Sequence, residues 1–196
     1  MAFRIFCGDV AFSDFREAWS YEGDEALDLC EAEQSGGASY TDEQTEAAGV
    51  AGYLLLEDVA TLVALCAETR GHYAQRGQPL SNVQIVEARG MLSLCPDFPR
   101  ADIVQANIKQ SLKEQRERAD GTRFEDGSYR VGKKIKPGTY FVPRTVAKGC
   151  YWERLDRRGD IIANNIVMAR TRVQVTIRAS DYTFSSDRCG EWRRAD

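Results

Sequence analysis

Six cysteines, Cys7, Cys30, Cys66, Cys95, Cys150 and Cys189, set the strongest limit on what this chain can become. Their number is even and none stands in a Cys-x-x-Cys pair. With a single histidine in the chain, tetrahedral zinc sites, which draw on cysteine and histidine together, are poorly served. Disulfides are the better reading, with buried free thiols as the alternative. Six cysteines allow fifteen pairings, and their count alone selects none. The 196 residues are 43% hydrophobic, with eight Phe, eight Tyr and three Trp. That is enough for one generous domain or two small ones, and too apolar for a disordered segment.

Charge divides the chain in two. Residues 1–119 carry ten Lys/Arg and twenty Asp/Glu, a balance of −10, whereas residues 120–196 carry sixteen and ten, a balance of +6. The change of sign marks a boundary near Asp120. No apolar run approaches the ~18–20 residues of a membrane span. The start is apolar in places (Phe3, Ile5, Phe6) but is cut by Arg4 and Asp9 and is too short for a signal peptide. If the protein is exported, its signal has been removed. If Met1 is native, export by the usual route is not expected.

The first half reads as four helices. One is expected over Asp14–Glu33, ending in Ser35-Gly36-Gly37. A second begins at the capping-box sequence Thr41-Asp42-Glu43-Gln44 and continues to about Gln75, with Leu55, Val59, Leu62, Val63 and Cys66 at helical spacing. A third starts at Ser81 and buries Ile85, Ala88, Leu92 and Cys95 before Pro96 stops it. Cys66 and Cys95 thus both point inward from consecutive helices, the arrangement a hairpin disulfide needs. The fourth, about Arg100–Ala119, carries Val104, Ile108 and Leu112 and then turns almost wholly charged from Lys113 to Arg118. A helix that loses its apolar face midway reads as a solvated connector.

From Asp120 the texture becomes β. Short apolar runs at Ser128–Val131, Thr139–Val142, Cys150–Leu155 and Ile161–Ala163 alternate with turns such as Lys136-Pro137-Gly138 and Asp156–Asp160. In Arg172–Arg178 alternation is strict, with Val173, Val175 and Ile177 facing a core. Six or seven strands are expected. The fold class is therefore α+β: a helical domain over 1–119 and a small antiparallel β-sandwich or barrel over 120–196.

Several blocks of the second half, in order, carry a resemblance. They are Asp126-Gly127-Ser128-Tyr129-Arg130-Val131-Gly132, Ile135-Lys136-Pro137-Gly138-Thr139-Tyr140, Gly149-Cys150-Tyr151-Trp152-Glu153-Arg154-Leu155, Asp160-Ile161-Ile162-Ala163-Asn164 and Cys189-Gly190-Glu191-Trp192. Together they resemble a cysteine-stapled all-β module of exported proteins and lipoproteins of actinobacteria. The resemblance implies a Cys150–Cys189 pair, closing a loop of about 40 residues and stabilising by ~3–4 kcal/mol in the chain-entropy model. It brings no enzymatic activity with it. Residues 45–100, through Leu65-Cys66-Ala67 and Leu94-Cys95-Pro96, are similar to small secreted mycobacterial helical domains stapled by a cysteine pair. With those two pairs implied, Cys7 and Cys30 are left to each other.

Reactive chemistry finds little support. His72, alone in Arg70-Gly71-His72-Tyr73, would need a nucleophile or carboxylate to act as a base; a surface histidine near a helix end is the plainer reading. The acids Glu22, Asp24, Glu25, Asp28, Glu31 and Glu33 lack EF-hand spacing and read as a solvated helix face. There is no Gly-rich phosphate loop, so no cofactor and no metal is expected. The basic stretch Arg130 to Lys136, with Lys133, Lys134 and Lys136, suits an anionic envelope polymer or the chain's own acidic half on charge, and the resemblance to an exported module argues against nucleic acid. Tyr151, Trp152 and Trp192 suggest a carbohydrate platform on one β face, or else aromatics packed on a disulfide as core. The leading expectation is a non-enzymatic binding or structural module, extracellular or at the cell envelope, whose partner is a protein or an anionic polymer. Its helical half would supply an interaction surface or a homo-oligomer contact. A phage-encoded accessory or virion assembly protein carrying the same β module, placed in the host cytoplasm or virion, is the second reading. A hydrolase is the third.

Overall fold

Burial alternates from the very start of the chain, where Phe3, Ile5 and Cys7 are buried while Ala2 and Arg4 are exposed. This period of two is what a half-buried strand needs. The computed structural model describes residues 1–144, 149–168 and 172–195 and divides into two compact units, Met1–Leu112 and Lys113–Asp196.

In the first unit the alternating run is β1 (Ala2–Cys7), flanked by β2 (Val10–Phe12) and β3 (Cys30–Gly36) in an antiparallel sheet of order β2-β1-β3. The sheet corrects the helix expected over Asp14–Glu33. Only α1 (Phe15–Trp19) is helical there, capped by Asp14, whose carboxylate accepts from the Arg16 amide at 2.7 Å. The acids that follow leave no continuous apolar stripe for a longer helix to bury, and Glu31 and Glu33 lie on a strand, not on a helix face. A disulfide between Cys7 and Cys30 joins β1 to β3.

The long second helix is also corrected. It is broken into α2 (Asp42–Ala51), a 3-10 turn (Leu56–Asp58) and α3 (Val59–Ala67), with a further 3-10 turn at His72–Ala74. The break is at Gly52, which takes the left-handed conformation (φ 72°) and returns its amide to Ala48 and Gly49 carbonyls. Glycine adopts that geometry without the Cβ penalty, so it ends helices. Capping boxes start α2 at Thr41 with Gln44 and α4 (Asn82–Leu94) at Ser81 with Gln84. The helix α5 (Ala101–Ala119) follows.

Leu62, Cys66, Ile85, Ala88, Met91, Cys95 and Val104 form one buried cluster, and a disulfide joins Cys66 to Cys95 inside it. Each fully buried aliphatic side chain contributes ~1.5–3 kcal/mol. α2 and α4 touch at Gly90, where an added Cβ would lie 2.5 Å from Ala51 Cβ and 2.8 Å from the Ala47 carbonyl oxygen. No single helix among the described residues is long and apolar enough to cross a membrane.

The second unit takes the charged end of α5 and eight short strands. These are β4 (Arg123–Phe124), β5 (Gly127–Arg130), β6 (Gly138–Phe141), β7 (Cys150–Leu155), β8 (Ile161–Val167), β9 (Gln174–Ile177), β10 (Thr183–Asp187) and β11 (Trp192–Arg194). They make two four-stranded antiparallel sheets, of order β5-β10-β7-β8 and β4-β11-β6-β9. Both sheets supply the one core: Phe124, Tyr140, Val175, Ile177 and Trp192 from one, Cys150, Val167 and Phe184 from the other. The alternation over residues 172–178 buries Val173, Val175 and Ile177.

Asp126 holds the end of this sandwich. Its carboxylate accepts from Ser186 Oγ at 2.8 Å, the Cys189 amide at 2.9 Å and the Gly190 amide at 2.6 Å, beside the Cys150–Cys189 disulfide. The charged turns of α5 are bonded to the same unit. Arg123, with a side chain only 5% exposed, meets Glu114 at 2.9 Å, Glu117 at 3.5 Å and Glu191 at 2.6 Å.

Candidate functional site

The aromatic residues singled out from the sequence do not share a face. Trp192 is fully buried; its ring meets Phe184 edge-on with centroids 5.3 Å apart, and its indole N–H donates to Ser186 Oγ at 3.0 Å. A side chain so enclosed between two sheets cannot meet a ligand, which removes Trp192 from any binding surface. Trp152 is partly buried against the same core. Tyr151, its neighbour on β7, points to the opposite face, as successive strand residues must. There its hydroxyl donates to Glu153 Oε2 at 2.6 Å, and Asn164 Nδ2 lies 3.4 Å away. The hydrogen bond to Glu153 raises the Tyr151 phenol above its ordinary range. The structure thus supplies no three-ring platform.

The basic residues behave differently. Lys133, Lys134 and Lys136 are exposed on the turn from β5 to β6, where Lys133 and Lys134 return their amides to the Arg130 carbonyl. Lys136 pairs with Asp120 at 3.8 Å. Two other turns lie next to this one. The β7–β8 turn carries Arg157 and Arg158, and the β9–β10 turn carries Arg178 and Tyr182. They are drawn together by β10, which pairs with both β5 and β7. The Tyr182 amide donates to the Leu155 carbonyl, and its carbonyl accepts from Val131. Two guanidinium groups then attend the Tyr182 ring, Arg130 at 4.3 Å and Arg157 at 5.7 Å from its centroid, within cation–π range.

The acids of these turns are largely spent on the fold. Asp181 is buried, held by Arg154 through bonds of 2.7 Å and 3.1 Å and by the Arg178 amide at 2.7 Å. Asp156 closes its own turn, accepting from the amides of Arg158 at 2.7 Å and Asp160 at 3.0 Å. Asp160 remains as an exposed acid. Arg130, Lys133, Lys134, Arg157, Arg158 and Arg178 are all exposed, and none forms an ion pair with a described residue. Six cations on three adjoining turns, two of them against the Tyr182 ring, give a positive surface able to hold several anionic groups at once. Arg130 opens the basic stretch read from the sequence; Arg157, Arg158, Arg178 and Tyr182 were not singled out there. The Arg157-Arg158 pair within a turn was the available signal; Tyr182 offered none.

The remaining candidates fall elsewhere. His72 is exposed in its 3-10 turn, with Nε2 3.3 Å from Gln84 Nε2 and its ring edge-on to Tyr73. No nucleophile or carboxylate partner for it occurs among the described residues. Glu22, Asp24, Glu25 and Asp28 occupy the segment between α1 and β3, and no group of three or more metal-ligating side chains occurs among the described residues.

Comparisons with curated proteins and with solved structures give no match. Residues 121–193, which take in all eight strands of the β unit apart from the last residue of β11, match the model of a family described as the Rv1352-like extracellular domain, so this unit is similar to an extracellular module.

Proposed function

We propose that the chain is a non-enzymatic binding module of the extracellular space or cell envelope, and that the basic end of its β unit holds an anionic polymer. The observation that carries this reading is the set of six cations on three adjoining turns that form no ion pair with a described residue, two of them against the Tyr182 ring, while Asp181 and Asp156 are bonded within the fold. The similarity of residues 121–193 to an extracellular domain family supports the location. So do three disulfides, which persist in oxidising compartments. Charge recognition of this kind is screened by salt and adds more to encounter than to contact-by-contact specificity.

The test is binding of the full oxidised chain to sodium polyphosphate, with neutral dextran as control, across a salt series. Binding to polyphosphate alone, weakening steadily with salt, is the expected outcome. The combined variant Arg130→Ala, Lys133→Ala, Arg157→Ala, Arg158→Ala should weaken it at least about tenfold, a loss of ~1.4 kcal/mol. Equal affinity for dextran, or indifference to salt, would sink the reading.

A further inference from the structure

The Cys7–Cys30 disulfide closes β1 against β3 at a narrow pair, with Cα atoms 4.2 Å apart. In an antiparallel ladder the narrow pairs are those whose N–H and C=O groups point away from each other. On β3 these groups therefore face the open side of the sheet at Cys30 and, two residues on, at Ala32. β3 is an edge strand, and such a row of backbone groups is a template for one more strand. The Cys30 amide is already used, donating to Glu68 Oε1 at 3.0 Å. The Ala32 amide and carbonyl have no partner among the described residues.

Beside this edge runs a groove of about 470 Å3 between β3 and α3, lined by Leu29, Cys30, Ala32, Ala64, Leu65 and Glu68, among others. Its volume falls in the ~300–1,000 Å3 range of ligand sites, and no Lys or Arg lines it. Glu68 is only 8% exposed, and its second oxygen, Oε2, makes no hydrogen bond to a described residue. Among the described residues no fully enclosed side-chain oxygen lacks a partner, so Oε2 keeps some exposure; it lies beside Gly71, and Glu68 itself lines the groove. Burial, opposed by the Cys30 amide and helped by the nearby charges of Asp28 and Glu87, pushes this carboxyl up to about 7. An acid in that setting is completed by a cation that brings its own N–H donors.

We propose that the β3 edge binds an extended peptide segment of a partner protein as a fourth strand, and that an arginine or lysine of that segment seats on Glu68. Two features select a peptide over a simple amine. The Ala32 amide and carbonyl read a backbone, as in strand addition generally. Leu29, 76% exposed, with Ala64 and Leu65, offers apolar surface for the stem of a long basic side chain.

The experiment uses the full oxidised chain and a set of blocked hexapeptides of alternating Thr and Val, each with one arginine, the arginine placed at every position in turn. Citrulline, the neutral isostere, replaces arginine in the control set. At least one arginine peptide should slow exchange of the Ala32 amide and bind about tenfold or more tightly than its citrulline partner. Glu68→Gln keeps an acceptor for the Cys30 amide and should abolish that preference while leaving polyphosphate binding unchanged. Ala32→Pro removes the outward donor without touching the ladder to β1 and should weaken both peptides; if it fails to fold, the Glu68→Gln comparison alone decides. The proposal is overturned if no arginine peptide protects Ala32, if citrulline serves as well, or if the preference survives in Glu68→Gln. Protection of Ala32 that grows with protein concentration in the absence of peptide would overturn it in favour of a second copy.

Discussion

The two units handle their charges in opposite ways. In the β unit the acids are drawn inside: Asp181 onto Arg154, Asp126 onto the Ser186–Gly190 segment, Asp156 into its own turn, Glu191 onto Arg123 and Arg193. The arginines and lysines of the turns are then left facing water. In the first unit most acids stay outside, Glu31, Glu33, Asp42 and Glu43 among them, while the deeply buried Glu68 receives a backbone amide and no cation. The sign a surface shows is therefore not set by composition alone. It depends on which charges the core pairs off, as Asp181 is by Arg154, and on which carboxylates backbone amides hold in place, away from side-chain cations.

Arg154→Ala should give the largest departure from this pattern. It strands Asp181, whose side chain is 1% exposed, and removing one partner of a buried pair costs about 3–5 kcal/mol. Denaturant unfolding followed at the Trp152 and Trp192 signals measures it; a loss under about 1 kcal/mol would mean that Asp181 is not in fact consumed by the fold. Next comes the double variant Cys150→Ala, Cys189→Ala. It opens a loop of 39 residues and should cost about 3–4 kcal/mol, with faster exchange of the Cys189 and Gly190 amides as they leave Asp126.

Glu68 supplies a pH test of the other half of the comparison. With its carboxyl at about 7 in the folded state and near 4.3 unfolded, the folded chain keeps a proton that the unfolded chain releases. Stability then falls as pH rises through that window, by about 4 kcal/mol at most, and Glu68→Gln should flatten the slope. A rise in stability over the same window, unchanged in the variant, would break the contrast. The smallest effect is expected at the basic end. Arg130→Ala and Arg157→Ala should each change stability by no more than ~0.5 kcal/mol, as surface sites away from structural features do, while both weaken polyphosphate binding.

Physical period explains what could be read from the residues and what could not. α4, from its Ser81 box to Pro96, and β9, with Val175 and Ile177 turned inward, carry complete local signals. β10 does not. Thr183-Phe184-Ser185-Ser186-Asp187 has one large apolar side chain, and it is a strand because β5 and β7 hydrogen-bond to its two sides. β3, rich in Glu, is held as a strand by its pairing with β1 and by Cys7. The same holds for the candidate sites. Arg130, Lys133 and Lys134 stand close together in the chain and were visible, whereas Arg157, Arg178 and Tyr182 join them only because three distant turns share one end of a sheet. The Glu68 groove joins strand and helix 38 residues apart, the span of the Cys30–Glu68 bond, and no spacing rule reaches that far.

Arg123 has a consequence for where this chain can be cut. The covalent start of the strands lies just after Ala119, yet two of the three carboxylates that neutralise the enclosed guanidinium, Glu114 and Glu117, belong to the preceding helix. A fragment beginning at residue 121 would contain every strand and still inherit a cation balanced by Glu191 alone. The shortest self-sufficient β fragment therefore begins at about Lys113, with two turns of helix retained as its counter-ion.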